Sequence, residues 1–525
     1  MRDMQKFTGL LVRSAAVILA PLFALSVNAA VPGITGPVFD LVAAPGYISQ
    51  PDGQSVYAWG YGCYTAPTGF APAAMQPAQG ANCPALQMQL PGPTLIVNQN
   101  DIVTVTLHNN LPAAAGNTSI LFPGFSVSGT GATGVLTSEA TPSGTATYTF
   151  TATTPGTHTY YSGTQGDLQI EMGLYGVLIV LPTGSAGTPT GYTPATGTAD
   201  TCFALGANEF RLAAIAYNNP QACYDREYLF QFSEMDPVIH RQAEEQVLAG
   251  AATLNVVTEP YKPAYYLING RSFPDDADPA YAMQYPRQPY NGNPHMHPGE
   301  LTLLRVVGSG REQHPFHEHG NHVRVLARDG NLLLSQTAAS TSLAGPLLFT
   351  TTTTPGLALD GIFEWTAKGL NWDVFGHTDA TDAAEPCHPD ANGYYTSAST
   401  PAAVRGVTTN YYEWCADHKS PLEAHPFGTV GAGGPVTLPD PNIFANGPWY
   451  AGSPYLGPDA TARAVGATPI PPSGTIANDP GTEAGFAFMW HSHNEREITT
   501  NNIFPGGMMM MMLVDPWVYP INEAN

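Results

Sequence analysis

Two distant stretches of this 525-residue chain close in the same way, and that repetition constrains the fold more than any other feature. The first copy opens PGPTLIVNQNDIVTVTLHNNLP, Pro91 to Pro112, and finishes PGTHTYYSGTQGDLQIEMGLYGVLIVLP, Pro155 to Pro182. The second opens HPGELTLLRVVGSGREQHPFHEHGNHVRVLARDG, His297 to Gly330, and finishes FAFMWHSHNEREITTNNIFPGGMMMMMLVDP, Phe486 to Pro516. Both end on a loop, a glycine and an apolar strand that stops at proline. The run from Ile102 to Leu107 alternates apolar and polar residues, the period of a half-buried β-strand. With 54 Gly, 49 Pro and 43% hydrophobic residues, the composition is that of turn-rich β structure with packed cores. An all-β chain of two β-sandwiches follows.

The pattern divides the chain. Residues 1–30 carry a basic start, an apolar run from Leu10 to Val27 and small residues at Val27-Asn28-Ala29, which reads as a secretory leader. The first domain is expected over 31–183, a Gly/Thr/Pro-rich linker over 184–205, and the second domain over 206–525. Glu209–Phe232 and Leu254–Asn269 read as its opening strands. A stretch from about 376 to 484, rich in Pro, Gly, Ala and Thr, is expected to be long surface loops.

The leader predicts a secreted protein: periplasmic, extracellular or held at the cell surface. No later run approaches the length of a membrane span. The net charge of −23 repels nucleic acid and anionic membrane and attracts cations. There is no G-x-S-x-G, nucleotide loop or basic patch, so hydrolase, kinase and nucleic-acid readings have no support. Six cysteines fall in close sequential pairs. In a secreted chain these predict the disulfides Cys63–Cys83, Cys202–Cys223 and Cys387–Cys415.

Fifteen histidines are unevenly spread. His314, His317 and His319 lie in HPFHEHG, and His491 and His493 in HSH. Residues i and i+2 of a strand share a face, so His317 pairs with His319 and His491 with His493. Side by side, the two strands bring four imidazoles together, a donor set for copper, zinc, iron or nickel. A metal-free polar cluster is the alternative. Glu495 and Glu497 share the parity of the HSH pair, and a carboxylate shifts preference toward manganese or iron; the alternative for both is a salt bridge with Arg496. Met508 to Met512 replace the plain core strand of the first copy and are read as core. His295-Met296-His297 is read as an exposed turn. His377, His388, His418 and His425 fall in or near the inserted stretch.

HPFHEHGNHVRVLARDG and WHSHNEREITTNNIFPGGMM resemble the two histidine blocks of the multicopper oxidases. PGPTLIVNQNDIVTVTLHNNL is similar to that family's opening strands, and GIFEWTAKGLNWDVFGH, Gly361 to His377, to its mid-domain strand. The H-S-H-x-E-x-E and F-P-G-G-M-M patterns resemble the bacterial type that includes manganese oxidases. The resemblance implies two cupredoxin-like Greek-key sandwiches and copper as cofactor. It also exposes departures. The family holds a type 1 copper with His, Cys, His and an axial Met, and a trinuclear cluster with eight His. His314 matches the first type 1 histidine, but Ser492 stands for the cysteine, Glu497 for the second histidine and Gly506 at the axial slot, for which the first copy has Met172. Aligned on the first copy, the cluster histidines become Leu121, Pro123, Tyr161 and Gly163. Four cluster ligands remain, His317, His319, His491 and His493, with His314 and Glu497 nearby.

The expectation is therefore a secreted metalloprotein binding copper, or manganese, at a residual histidine site. It would act on metal ions or through an electron-transfer protein or second cupredoxin chain, and it would not reduce O2 by the laccase route alone. The competing expectation is a non-enzymatic copper-binding or cell-surface scaffolding protein with a decayed oxidase site. The sequence leaves the oligomeric state open.

Overall fold

The structure is a computed structural model that describes residues 31–72, 83–183, 211–219, 221–335, 342–366, 394–396, 410–414, 452–455, 485–515 and 521. The leader, the 184–205 linker and most of the 376–484 stretch fall outside these residues, as do Cys202, Cys387 and Cys415.

Residues 31–183 form two facing five-stranded sheets. One runs in the order Gly156–Tyr161, Tyr175–Leu181, Leu95–Asn98, Gly33–Thr35, Phe70–Ala71. The other runs Ser55–Cys63, Val38–Ser49, Ile102–Asn109, Thr145–Thr151, Ser128–Thr130. The alternation read from the sequence is realised: Val103, Val105 and Leu107 are buried while Thr104 and Thr106 turn outward. They meet Leu95, Trp59, Tyr148 and Phe150 in one core. The Cys63–Cys83 disulfide closes on that core with its Cα atoms 5.7 Å apart. Cys223 is disulfide-bonded as well.

The second sandwich repeats the plan. Its seven-stranded sheet runs Tyr265–Ile268, Arg226–Met235, Leu301–Gly308, Ala358–Glu364, Val323–Arg328, Asn331–Leu332, with Leu347–Leu348 beside Val323–Arg328. Its facing sheet runs His295–Met296, Met509–Val514, Gly485–Ser492, Pro315–Glu318, Thr350–Thr352. Phe230, Phe316, Phe363, Trp490, Met510 and Met512 fill the space between. Of the five methionines, Met508, Met509, Met510 and Met512 are buried, and Met509 to Met512 lie in the strand.

Three expectations need correction. Inside the stretch read as loops, Gly452–Tyr455 pairs with Gly485–Ser492 and extends the facing sheet, and Tyr394–Thr396 pairs with Asn410–Trp414. The opening strands of the second sandwich are Arg226–Met235 and Tyr265–Ile268, and a helix, Pro237–Leu248, stands between them. Asp236 caps that helix by accepting from the Val238 amide, and Pro237 takes the first turn, where its missing N–H costs nothing. Its Ile239 and Ala243 enter the core of the first sandwich. Finally, His295 and His297 are buried rather than exposed. His295 Nδ1 meets Asp515 at 2.7 Å, and His297 sits beside Glu300, which also binds Arg226.

The two sandwiches share a buried polar seam. Thr157 of the first donates both its amide and its hydroxyl to Asp360 of the second. Arg305 joins Glu227, Asp360 and Thr157, all from within the protein interior. A buried guanidinium needs such compensation to remain charged.

Candidate metal centre

Strand Pro315–Glu318 lies antiparallel to Gly485–Ser492, and its register places His317 directly opposite His491. Strand parity then sends His317, His319, His491 and His493 to one face. The rings converge: the centroid separations are 4.8 Å for His317–His319, 5.6 Å for His317–His491 and 4.9 Å for His317–His493. His319–His491 stand at 5.1 Å and His491–His493 at 5.6 Å. His317, His319 and His491 are buried, whereas His493 is exposed and marks the opening to solvent.

The backbone sets the tautomers. His317 Nδ1 faces the Phe349 carbonyl, and His491 Nδ1 donates to the Ser492 carbonyl at 2.7 Å. A carbonyl only accepts, so each Nδ1 carries the hydrogen and each Nε2 carries the lone pair. Outer partners of this kind orient ligating imidazoles. Burial lowers the pKa of both His317 and His491, and neighbouring imidazoles push the same way. Both are therefore neutral near pH 7, the state a ligand needs.

His319 Nε2 and His491 Nε2 are 3.2 Å apart. Two imidazoles on one tetrahedral ion, with bonds of about 2.0–2.1 Å, would hold their nitrogens roughly 3.3 Å apart. Nevertheless, among the described residues no three His, Cys, Asp or Glu side chains stand as a finished ligand set. Ring convergence and donor convergence differ because the outer imidazole torsion is soft. Turning a ring about Cβ–Cγ swaps its edges while its centroid hardly moves. The chemistry of the donor set fits an imidazole-held ion with His317 and His491 kept in these orientations, and the exposed His493 is the least constrained of the four.

His314 and Glu497 lie elsewhere. His314 is completely buried, with Nδ1 2.9 Å from Glu497 and Nε2 2.8 Å from Glu234. Both nitrogens are engaged by carboxylates, so neither has a lone pair to offer a metal. Burial opposes the imidazolium charge, but the two carboxylates outweigh it and raise the pKa to about 9. Ser492 donates its hydroxyl to Glu497. A type 1 copper does not fit here: there is no thiolate, its first histidine is already bound, and Gly506 offers no side chain. His314 and Glu497 are thereby removed from the ligand set expected from the sequence. Glu495 is exposed.

Sequence reasoning misses Glu234. It comes from Arg226–Met235, a strand buried at every position despite carrying Arg226, Glu227 and Glu234. Charges in a strand flanked by aromatic residues are the one signal that points to it. His377, His388, His418 and His425 lie outside the described residues.

In the first sandwich the equivalent bridge is Leu121 opposite Tyr161, so apolar and phenolic groups occupy the place of His317 and His491. Residues 72–185 match the multicopper oxidase family model. The multicopper oxidase match falls on this first sandwich, the one without the histidine cluster. Among solved structures, the multicopper oxidase mgLAC is 14% identical, covering 93% of this chain and 88% of its own, with a TM-score of 0.44. A blue copper oxidase from Nitrosomonas europaea is 15% identical, covering 90% and 85%, with a TM-score of 0.43. A copper nitrite reductase from the same organism is 19% identical, covering 62% and 84%, with a TM-score of 0.37. No curated protein matches the sequence. No helix among the described residues is long and apolar enough to cross a membrane.

Proposed function

We propose that this chain is a secreted, multicopper-oxidase-like metalloprotein that holds copper through His317, His319, His491 and His493. The observation that carries the reading is the convergence of four imidazoles across one register-matched strand pair. Bound copper would supply a one-electron redox centre. The chain's own contribution is to keep the imidazoles neutral, fix the hydrogen on Nδ1 of His317 and His491, and admit solvent at His493. The Cys63–Cys83 disulfide supports an oxidising compartment. The charge of −23 favours cations as the species that reach the site. Manganese remains the second metal of interest as a substrate ion, and an electron-transfer protein the partner class.

A second reading, non-enzymatic copper binding, is favoured by a specific feature. Leu121, Pro123, Tyr161 and Gly163 stand where the resemblance places four further ligands. O2 reduction by the laccase route is therefore not proposed. Copper reconstitution of the full secreted chain tests the metal site. The wild type is expected to take up copper with imidazole nitrogen hyperfine structure in electron paramagnetic resonance. His319→Ala with His491→Ala should lose it. Uptake unchanged by that pair would place the metal elsewhere and sink the proposal. Oxidation of Mn(II) or phenols, lost with the same pair, would favour the redox reading over simple binding.

A further inference from the structure

The two strands that carry the histidine pairs are tied together on their opposite face. His314 immediately precedes Pro315–Glu318, and Ser492 ends Gly485–Ser492. Glu497 bridges them: it meets His314 Nδ1 at 2.9 Å, accepts from the Ser492 hydroxyl, and accepts from Asn494 Nδ2 at 2.7 Å. Asn494 directly follows His493, so the same carboxylate fixes the turn that aims that ring. Glu234 completes the set at His314 Nε2, and is itself held by the Glu312 amide at 2.9 Å and by Tyr261.

The first sandwich builds the same tie from neutral groups. Thr118 stands three residues before Leu121, as His314 stands before His317, and Ser162 follows Tyr161 as Ser492 follows His491. Both hydroxyls donate to Gln169 Oε1, at 2.9 Å from Thr118 and 2.6 Å from Ser162. Gln169 Nε2 donates to the Asn117 carbonyl at 2.8 Å. All three side chains are buried. Joining the two strands therefore needs no charge. The copy with histidines uses charge, and the copy without them does not.

Two carboxylates and one imidazolium carry one net negative charge, placed under the imidazole face. In a low-dielectric interior such an excess favours a cation above it. The geometry points to Glu234–His314–Glu497 as a charged staple that aims the imidazole cluster and supports a divalent cation on it, with His314, Glu234 and Glu497 as positioning residues. This rests on the metal-site reading above, which it deepens.

The neutral set of the first sandwich supplies the test. His314→Thr with Glu497→Gln and Glu234→Gln, which leaves no charge in the set, should fold in the full chain with wild-type near-ultraviolet circular dichroism. It should bind Cu(II) about tenfold or more weakly, the usual effect of losing an outer-shell partner. Wild-type affinity in a folded variant would overturn the electrostatic role. If that variant does not fold, nitrogen-15 histidine spectra of metal-free wild type decide. At pH 7 the His314 ring, assigned by its absence in His314→Gln, should show both nitrogens protonated. One unprotonated nitrogen would refute the staple. Failure of wild type to bind copper would instead remove the metal-site reading, and with it the cation-supporting half, while the spectra still decide the staple.

Discussion

The two sandwiches solve one structural problem with different chemistry. Each must join a short segment to the strand beside it, with Leu121 opposite Tyr161 in one and His317 opposite His491 in the other. Each places a three-way polar tie beneath that pair, Thr118–Gln169–Ser162 in the first and His314–Glu497–Ser492 in the second. The other side of the pair is apolar and phenolic in one copy and imidazole in the other, and the charge of the tie follows it. The difference teaches that the repeat fixes where a site can be, while the side chains decide whether one exists.

The comparison breaks most sharply at the tie itself. His314→Ala leaves Glu234 and Glu497 buried without their shared cation, and removing one partner of a buried ionic set costs about 3–5 kcal/mol. Gln169→Ala, the matching change in the first sandwich, takes one partner from each of two hydroxyls and a carbonyl, and Ser162 keeps its contacts with Thr164. The cost there is about 1–3 kcal/mol, because no charge is stranded. Urea unfolding of both variants checks the order. Equal losses, or a larger loss for Gln169→Ala, would show that charge adds nothing to the second tie.

How much of this is legible in the sequence follows from what strands reveal. The period of two assigns His317, His319, His491 and His493 to one face, and the internal repeat sets Leu121 and Tyr161 at the positions equivalent to histidines. Those are local regularities. Glu234 meets His314 across 80 positions, and no spacing rule announces such a pairing. His314 and Glu497 group with the ligands in sequence because the resemblance sets them at type 1 copper positions, and nothing local shows that they bond to each other instead. His295 and His297 read as exposed for the same reason: Asp515 and Glu300, which make their burial tolerable, come near only once the strands are paired. The helix Pro237–Leu248 is hidden because proline punctuates a β pattern as readily as it starts a helix.

Titration sharpens the comparison next. The folded pKa of His314 is raised to about 9, against about 6.5 in the unfolded chain. Below pH 6.5 both states hold the proton and the staple contributes fully. Between about 6.5 and 9 the folded state binds more protons, so stability falls as pH rises, by roughly 3 kcal/mol at most. Glu318, raised to about 8 chiefly by burial, acts in the same direction between its ordinary carboxylate range and pH 8. Subtracting the pH profile of His314→Gln from that of wild type isolates the histidine, since Glu318 is common to both. The neutral tie at Gln169 adds no such slope. A flat difference between pH 6.5 and 9 would show His314 neutral in the folded protein.

The finest contrast lies in the paired serines. Ser492 donates to a carboxylate and Ser162 to a carboxamide, at matching places in the two copies. A hydrogen bond to a charged group contributes about 1.5–3 kcal/mol and a neutral one about 0.5–1.5 kcal/mol. Alanine at each position should therefore differ by about 1 kcal/mol, with Ser492→Ala the more damaging. Each serine also accepts from the amide two residues on, Ser162 from Thr164 and Ser492 from Asn494, and Ser162 further approaches the Thr164 carbonyl. That last contact can only raise the cost of Ser162→Ala. A larger loss at Ser492 in chemical denaturation would thus reflect the charge of its acceptor, and a larger loss at Ser162 would mean that the count of contacts outweighs the charge.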